Sequence, residues 1–163
     1  MKTLLIVYHS MTGATEQMAR AVACGAAHES AVAVRLCHAS HAAVHDVLGA
    51  DAFVFATPEN LAGMAGLMKD FFDRCYYGAL DQLNGRSYAC VVCAGSDGTN
   101  AARQIERIAT GWRLRAIAAP LIISTHTSSV EEILAEKALA TPDLSRGKEL
   151  GATLATGLAI GAY

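Results

Sequence analysis

A chain of 163 residues has the length of one domain and can bury a three-layer core. Hydrophobic residues make up 53% of it and only 3 residues are Pro, which excludes a disordered chain and a collagen-like repeat. The formal net charge of −2 is too small in magnitude, and of the wrong sign, to favour nucleic acid as a partner.

The first ten residues predict a protein of the cytoplasm without a membrane partner. The apolar run 4–7 is too short for a signal peptide or a membrane span, and Tyr8-His9-Ser10 ends it without a small-residue cleavage pattern. In that compartment we expect the 5 cysteines to be reduced, and their odd number argues against a closed set of disulfides.

Five apolar runs with β-branched residues are predicted to be strands, at residues 4–8, 31–36, 51–56, 88–94 and 121–124. Helical spacing of apolar residues separates them, first over 13–25 and later over 101–112. The segment 37–49 is ambiguous and is interpreted as a loop with a short helix. A long helix before the fourth strand is predicted to carry on one side Met64, Leu67, Met68, Phe71, Phe72 and Cys75.

Two more helices are predicted near the C-terminus. Ser129 and Glu132 have the spacing of a capping box. Thr141 and Pro142 suit the N-cap and the first turn of a longer helix. The buried stripe of that helix is predicted to contain Gly147, Leu150, Gly151, Leu154 and Leu158. No repeat or linker interrupts the pattern, so residues 1–163 are interpreted as a single domain.

Strands that alternate with helices predict an α/β fold, a doubly wound three-layer sandwich with a parallel sheet. In such sheets ligands bind beyond the carboxyl ends of the strands, where the strand order reverses. Loops with polar residues or Gly follow the first, third and fourth strands. These three loops are therefore the predicted ligand site.

The loop after the first strand combines three hydroxyl side chains with a glycine at a strand-to-helix turn. Its residues are Ser10, Met11, Thr12, Gly13, Ala14 and Thr15. Backbone N–H groups and the positive end of a helix can bind a phosphate dianion there without a cation. The Walker motif and the three-glycine dinucleotide motif are both missing. By itself the loop predicts a phosphate site and leaves open an ordinary Ser/Thr-rich turn.

The order strand, Ser-x-Thr-Gly-x-Thr, helix resembles the FMN phosphate loop of flavodoxins. Thr57-Pro58 and the stretch Gly63-Met64-Ala65-Gly66-Leu67-Met68-Lys69 are similar to the second flavin loop of small FMN-dependent NAD(P)H:quinone reductases of the tryptophan-repressor-binding-protein type. The resemblance covers residues 1–112 by motif and the remainder by pattern. It implies a flavodoxin-like five-stranded sheet of order 2-1-3-4-5, FMN as cofactor, and NADH or NADPH as co-substrate.

The resemblance also implies which residues hold the flavin ring, through main-chain groups of the second and third loops. The second loop consists of Thr57, Pro58, Glu59, Asn60 and Leu61, and the third of Ala94, Gly95, Ser96, Asp97 and Gly98. Small residues in the third loop allow the backbone to approach a planar ring. For Asp97, a turn-forming role before Gly98 is an equal alternative.

One departure from the carrier flavodoxins favours an enzyme. Those proteins cover the ring with aromatic side chains, whereas neither loop here contains Trp, Tyr or Phe, and Trp112 is predicted to lie in the core. An open ring face would admit a nicotinamide or a quinone. The small net charge agrees, because carriers that dock basic partners are more acidic. Weak flavin binding, or an aromatic residue from a neighbouring subunit, are the alternatives left open.

Two further patterns are interpreted as structural. Cys90 and Cys93 form a C-x-x-C pair inside a strand, where positions three apart face opposite sides, so a buried pair is favoured over redox chemistry. His38, His41 and His45 have helical spacing but are interpreted as a solvated face, and no metal site is predicted.

The sequence thus predicts an FMN-dependent oxidoreductase that passes reducing equivalents from NAD(P)H to a quinone-like or other small acceptor. No catalytic side chain is predicted, because the flavin carries the chemistry. His9 and His126 adjoin the predicted site and are candidate substrate-side groups. The alternatives are a one-electron carrier flavodoxin and a domain that has lost its cofactor. Whether the chain forms a homo-oligomer is left open.

Overall fold

A computed structural model describes residues 1–163 as alternating strands and helices. The strands are β1 (Lys2–Tyr8), β2 (Val32–His38), β3 (Ala52–Asn60), β4 (Gly63–Met64), β5 (Ser87–Ala94), β6 (Arg115–Ala116) and β7 (Leu121–Ser124). The helices are α1 (Ala14–Ala26), α2 (Val44–Leu48), α3 (Gly66–Ala79), α4 (Thr99–Gly111), α5 (Val130–Leu134) and α6 (Thr141–Ala159). No helix is both long and apolar enough to cross a membrane.

The main sheet is parallel and has the order β2-β1-β3-β5, with both β6 and β7 paired to the free edge of β5. The last strand position is therefore split between β6 and β7. Pro120, which has no N–H to donate, lies in the interruption between them. The predicted fold class and strand order are confirmed, and the short strand β6 is an addition.

Apolar side chains fill both faces of the sheet. Along β1, Leu5 and Val7 join the core under α2, α3 and α4, while Leu4 and Ile6 join the core under α1 and α6. All four are fully buried, because successive side chains of a strand point to opposite faces and each face is covered by helices. This explains why the strand is a continuous apolar run rather than an alternating one.

The two cysteines of the C-x-x-C pair lie on opposite faces of β5, as predicted. Cys90 belongs to one core and Cys93 to the other, and both thiols are free. Burial raises the pKa of Cys90 to about 12 and that of Cys93 to about 11, so both are neutral thiols at ordinary pH. Trp112 is also buried, in an aromatic cluster with its ring 5.3 Å from that of Phe72.

Helices α1 and α6 cross with their backbones in contact. A Cβ atom on Gly25 would lie 1.9 Å from the carbonyl oxygen of Lys148, and one on Gly151 would lie 2.0 Å from that of Val22. Only glycine fits at such a crossing. The predicted stripe of α6 is confirmed in Gly147, Gly151, Leu154 and Leu158, whereas Leu150 is half-buried.

The third strand is longer than predicted. Residues 57–60, expected to form a loop, are its last four residues, and the chain then turns back into β4 as an antiparallel hairpin. The turn consists of Leu61 and Ala62, which have φ values of 48° and 59°. A two-residue hairpin turn of this kind normally contains Asn-Gly, so the sequence carries no local signal for it.

Two predicted helix beginnings are wrong. Met64 lies in β4 rather than in the third helix, which begins at Gly66, and Leu67 is exposed rather than on the buried side of that helix. Thr141 is the first residue of α6 rather than its N-cap, and the N-cap residue Ala140 has no side-chain cap. The Met64 prediction depended on the spacing of apolar residues and the Thr141 prediction on residue preferences at helix ends, and neither signal fixes the residue at which a helix begins.

The predicted capping box of α5 is confirmed. The hydroxyl of Ser129 accepts from the N–H of Glu132 at 3.2 Å, and the Glu132 carboxylate accepts from the N–H of Ser129 at 3.1 Å. By contrast, the helical spacing of the three histidines has no structural counterpart. His38 ends β2, His41 lies in the following turn, and His45 lies in α2.

Candidate functional site

A cavity of about 470 Å³ opens at the carboxyl ends of the central strands. Eleven of the sixteen residues predicted to bind the cofactor line it, namely Ser10, Met11, Thr12, Ala14, Thr15, Pro58, Glu59, Asn60, Leu61, Ala94 and Gly95. Five further lining residues were not predicted, namely Cys93, Thr125, Thr127, Ile133 and Lys137. The three loops singled out in the sequence therefore meet at one cavity, as expected for a doubly wound sheet.

The loop Ser10–Thr15 ends in an uncapped helix N-terminus. Gly13, the N-cap residue of α1, has φ 98° and ψ −19°, and no side chain caps the helix. The first intrahelical bond runs from the N–H of Gln17 to the carbonyl of Gly13, so the N–H groups of residues 14–16 have no partner in the protein. The hydroxyl of Ser10 accepts from the N–H of Gly13 at 3.0 Å and holds the turn.

The α4 N-terminus begins with the same backbone geometry but is occupied. Gly98 has φ 83° and ψ −12°. The two carboxylate oxygens of Glu59 accept from the N–H of Gly98 at 2.9 Å and from that of Ala101 at 3.0 Å. This carboxylate faces the positive end of α4 and ties the second loop to the third. Both carboxylate oxygens of Glu59 are therefore already hydrogen-bonded within the protein.

Five predicted residues lie outside the cavity lining: Gly13, Thr57, Ser96, Asp97 and Gly98. Thr57 is buried, and its hydroxyl accepts from the N–H of Ala65 at 3.0 Å. The carboxylate of Asp97 accepts from the Thr99 hydroxyl at 2.8 and 2.7 Å, which is the turn-forming alternative. These side chains shape the second and third loops.

The hairpin tip at Leu61 and Ala62 forms one rim of the cavity. Non-glycine residues in the left-handed region are strained by about 1–3 kcal/mol and need support. Two side chains of α4 provide it, since Asn100 donates to the carbonyl of Ala62 and Gln104 accepts from the N–H of Met64 at 2.8 Å. The side chain of Leu61 is fully exposed at the mouth.

Residues 125–139, which we name the closing segment, contribute four lining residues that the sequence did not reveal. At its start, the N–H of Thr127 donates to the carbonyl of Gly95 at 3.1 Å. Near its end, the N–H of Lys137 donates to the carbonyl of Thr12 at 2.8 Å. The segment thus bridges the third loop and the phosphate loop. The capping box predicted α5, but no local signal shows that α5 lies beside a cavity.

Neither candidate histidine lines the cavity. The Nδ1 atom of His9 lies 3.1 Å from Nε2 of His38, and burial together with the nearby His38 lowers the pKa of His9. His126 is exposed, with φ 53° and its Nδ1 atom 3.3 Å from the hydroxyl of Ser124. A substrate-side role for either residue stays a prediction.

The family model described as NADPH-dependent FMN reductase matches residues 23–129 of this chain. The chain belongs to this family. The matched region includes the second and third loops and begins after the phosphate loop, whose assignment depends on the free N–H groups at the start of α1. The resemblance noted in the sequence is confirmed, and the family description names the predicted FMN and NADPH.

Two curated relatives match part of the chain. A flavodoxin of Aquifex aeolicus is 34% identical over 96 residues, which are 59% of this chain and 50% of the relative. An NAD(P)H dehydrogenase (quinone) of Acidithiobacillus ferrooxidans is 33% identical over 94 residues, with 45% of this chain and 47% of the relative covered. The chain spans about half the length of the curated relatives it matches.

Solved structures show the fold. A flavodoxin from the domain Archaea has a TM-score of 0.74 at 18% identity and covers 96% of this chain and 98% of its own. A flavodoxin, WrbA-like protein from Agrobacterium tumefaciens has a TM-score of 0.69 at 21% identity, with 99% of both chains covered. At these identities the likeness establishes a flavodoxin-like fold.

Proposed function

We propose that this chain binds FMN in the cavity and is an oxidoreductase that passes electrons from NADH or NADPH to a quinone-like or other small acceptor. The single observation that supports this best is the uncapped N-terminus of α1 at one end of the cavity, in a chain of the FMN reductase family. When bound, FMN would supply the redox centre that accepts a hydride and passes electrons on.

Residues 10–16 fit the phosphate of FMN. The three unpaired N–H groups at the start of α1 are donors, and the positive end of the helix favours an anion. The hydroxyl groups of Ser10, Thr12 and Thr15 lie in the same loop, and all three residues line the cavity. The ammonium of Lys137 donates instead to the carbonyls of Glu132 and Ile133, so neutral donors dominate this end.

The other end of the cavity fits a planar ring. A volume of about 470 Å³ lies within the range of about 300–1,000 Å³ that small-molecule sites occupy. Its lining includes Pro58–Leu61 of the second loop and the small residues Ala94 and Gly95 of the third. The N–H groups of residues 95–97 have no partner in the protein and are donors of the kind that stabilise negative charge on a bound ring.

The residues at the mouth of the cavity favour a flavin ring that is open to a small reactant over one covered by aromatic side chains. No aromatic side chain lines the cavity, as the sequence indicated. Met11, Leu61 and Ile133 are exposed apolar residues at the rim. A nicotinamide or quinone entering the mouth would contact these side chains. It could stack on the flavin ring, because none of the lining residues has an aromatic side chain that would cover the ring.

A one-electron carrier is the second candidate, favoured by the likeness to the flavodoxin of Aquifex aeolicus. Against it stands the net charge of −2, since carriers that dock basic partners use a far more acidic surface. The two functions differ in whether NAD(P)H reduces the bound flavin directly.

Purified protein mixed with FMN tests the proposal. We expect a flavin absorption spectrum, rapid bleaching by NADH or NADPH without oxygen, and turnover when a quinone is added. An FMN complex that neither nucleotide reduces, but that keeps a stable one-electron-reduced state in a redox titration, would establish the carrier instead. A colourless protein that gains no FMN would contradict the cofactor proposal itself.

A further inference from the structure

Gln17 lies in the second turn of α1, next to the phosphate loop, and has no role in the function proposed above. We infer that it is a positioning residue for phosphate binding: its side-chain amide fastens the phosphate loop to residues 137–139 of the closing segment. The inference rests on the proposed function, since the phosphate concerned is that of FMN. Gln17 and Lys137 are 120 residues apart in the chain.

Every hydrogen-bonding atom of the Gln17 amide group is engaged. Its Nε2 donates to the carbonyl of Gly13 at 3.0 Å and to the carbonyl of Lys137 at 2.6 Å. Its Oε1 accepts from the N–H of Leu139 at 3.0 Å. A fourth bond, from the N–H of Lys137 to the carbonyl of Thr12 at 2.8 Å, closes the same contact. One half-buried side chain therefore joins a loop and a distant segment.

These bonds act on the donors that face the phosphate site. A carbonyl and the next residue's N–H belong to one planar peptide unit, so holding the carbonyl orients the N–H. The carbonyl of Gly13 shares its peptide unit with the N–H of Ala14, the first unpaired donor of α1. Gln17 holds that carbonyl twice, through its backbone N–H at 3.1 Å and through Nε2.

The closing segment gains its position from the same contact. Residues 135–140 belong to no helix or strand and pair with no strand of the sheet. The bonds of Gln17 to Lys137 and Leu139 place this stretch beside the phosphate loop. Preorganised donors bind more tightly, because less conformational freedom is lost when the ligand arrives.

Gln17→Met tests the inference, because methionine keeps the length of the side chain and removes all three bonds. The matched control is Gln82→Met, since Gln82 also donates to a carbonyl, that of Gly78 at 3.1 Å, on the exposed end of α3. Fluorescence titration gives the Kd of each protein for FMN and for riboflavin, which lacks the phosphate. We expect Gln17→Met to raise the Kd for FMN about tenfold, with riboflavin unchanged and the control unaffected.

Equal losses for FMN and riboflavin, or no loss at all, would overturn the inference. Hydrogen exchange in the flavin-free proteins gives a second reading. The N–H groups of Lys137 and Leu139 should exchange faster in Gln17→Met. Gln17→Glu lacks the donor to the two carbonyls but keeps the acceptor for Leu139, so in that variant the N–H of Lys137 should exchange faster than that of Leu139. Unchanged exchange overturns the fastening contact. Absence of flavin binding by the unaltered protein would instead refute the proposed function, and the exchange measurement would still decide the role of Gln17.

Discussion

The N-termini of α1 and α4 have similar backbone geometry but differ in whether a side chain accepts from their free N–H groups. Each follows a central strand of the sheet and starts at a glycine in the left-handed region, Gly13 at φ 98° and Gly98 at φ 83°. At α4 the carboxylate of Glu59 accepts from two of the free N–H groups. At α1 no side chain does so, and those groups border the cavity.

The difference shows how one fold can fill one helix N-terminus with its own carboxylate and leave another free. Backbone geometry makes both ends attractive to an anion, because both present unpaired donors and the positive end of a helix. What distinguishes them is whether the protein supplies the anion. β3 extends to Asn60 and places Glu59 at the start of α4, so of these two helix ends only that of α1 keeps its N–H groups free.

Placing a carboxylate at α1 should give the largest effect. Gly13→Asp would imitate the arrangement at α4 and put a negative charge where the phosphate is proposed to bind. We expect the Kd for FMN to rise by about 100- to 1,000-fold, since like charges a few ångströms apart near a protein surface repel by about 3–4 kcal/mol. Gly13→Asn is the matched control, with the same shape and backbone strain but no charge. If both variants lose FMN equally, charge at α1 is not the cause.

Removing the carboxylate at α4 should lower stability. Glu59→Ala leaves the N–H groups of Gly98 and Ala101 without their acceptor, and we expect a loss of about 2 kcal/mol in the free energy of unfolding. Urea denaturation of the flavin-free protein measures it. Glu106→Ala, an exposed position on the same helix, should change stability little. A Glu59 variant as stable as that control would refute the capping role.

Removing one hydroxyl at the start of α1 should have a smaller effect, on the affinity for FMN and not on the free energy of unfolding. The Thr12 side chain has no hydrogen bond within the protein and lines the cavity, so Thr12→Ala should weaken FMN about tenfold and leave the unfolding curve unchanged. Thr110→Ala, on the far end of α4, is the control for both measurements. Unaltered FMN affinity would count against the phosphate assignment.

The smallest expected effect concerns the histidine beside α1. Burial and the neighbouring His38 lower the pKa of His9 from its ordinary value of 6.5, so the folded protein holds fewer protons there than the unfolded chain. Stability from this source is complete above pH 6.5 and is lost as the pH falls below it. We expect His9→Asn to flatten the stability profile below pH 6.5, as measured by urea denaturation across that range. An equally steep profile in the variant would assign the pH dependence to other groups.

Most of the sheet and eleven of the sixteen cavity-lining residues were predictable because their signals are local. The buried run at Leu4–Val7 marks a strand covered on both faces, and the hydroxyls and glycine of Ser10–Thr15 mark a turn into a helix. The third strand was predicted too short because Pro58 and polar neighbours weaken its pattern after Ala56. The turn at Leu61 and Ala62 was missed because its residues are not those that normally adopt it.

The cavity contacts of the closing segment, and the hydrogen bonds of the Glu59 and Gln17 side chains, could not be predicted from local sequence. Glu59 reaches donors 39 and 42 residues away, and Gln17 reaches 120 residues along the chain. Such contacts form only when the sheet order brings separate segments together. A glutamate in a loop and a glutamine on a helix carry no pattern that distinguishes them from solvated residues.

The sequence alone determined the alternating strands and helices, the parallel sheet and the three loops at its carboxyl edge, since apolar period and turn residues are properties of short windows. Tertiary structure decided which of two similar helix ends stays open. That choice depends on where the Glu59 carboxylate lies in space, and on a closing segment that completes the cavity from the far end of the chain. The loop Ser10–Thr15 lines the cavity with free N–H groups at the start of its helix, whereas the Glu59 carboxylate accepts from those of α4.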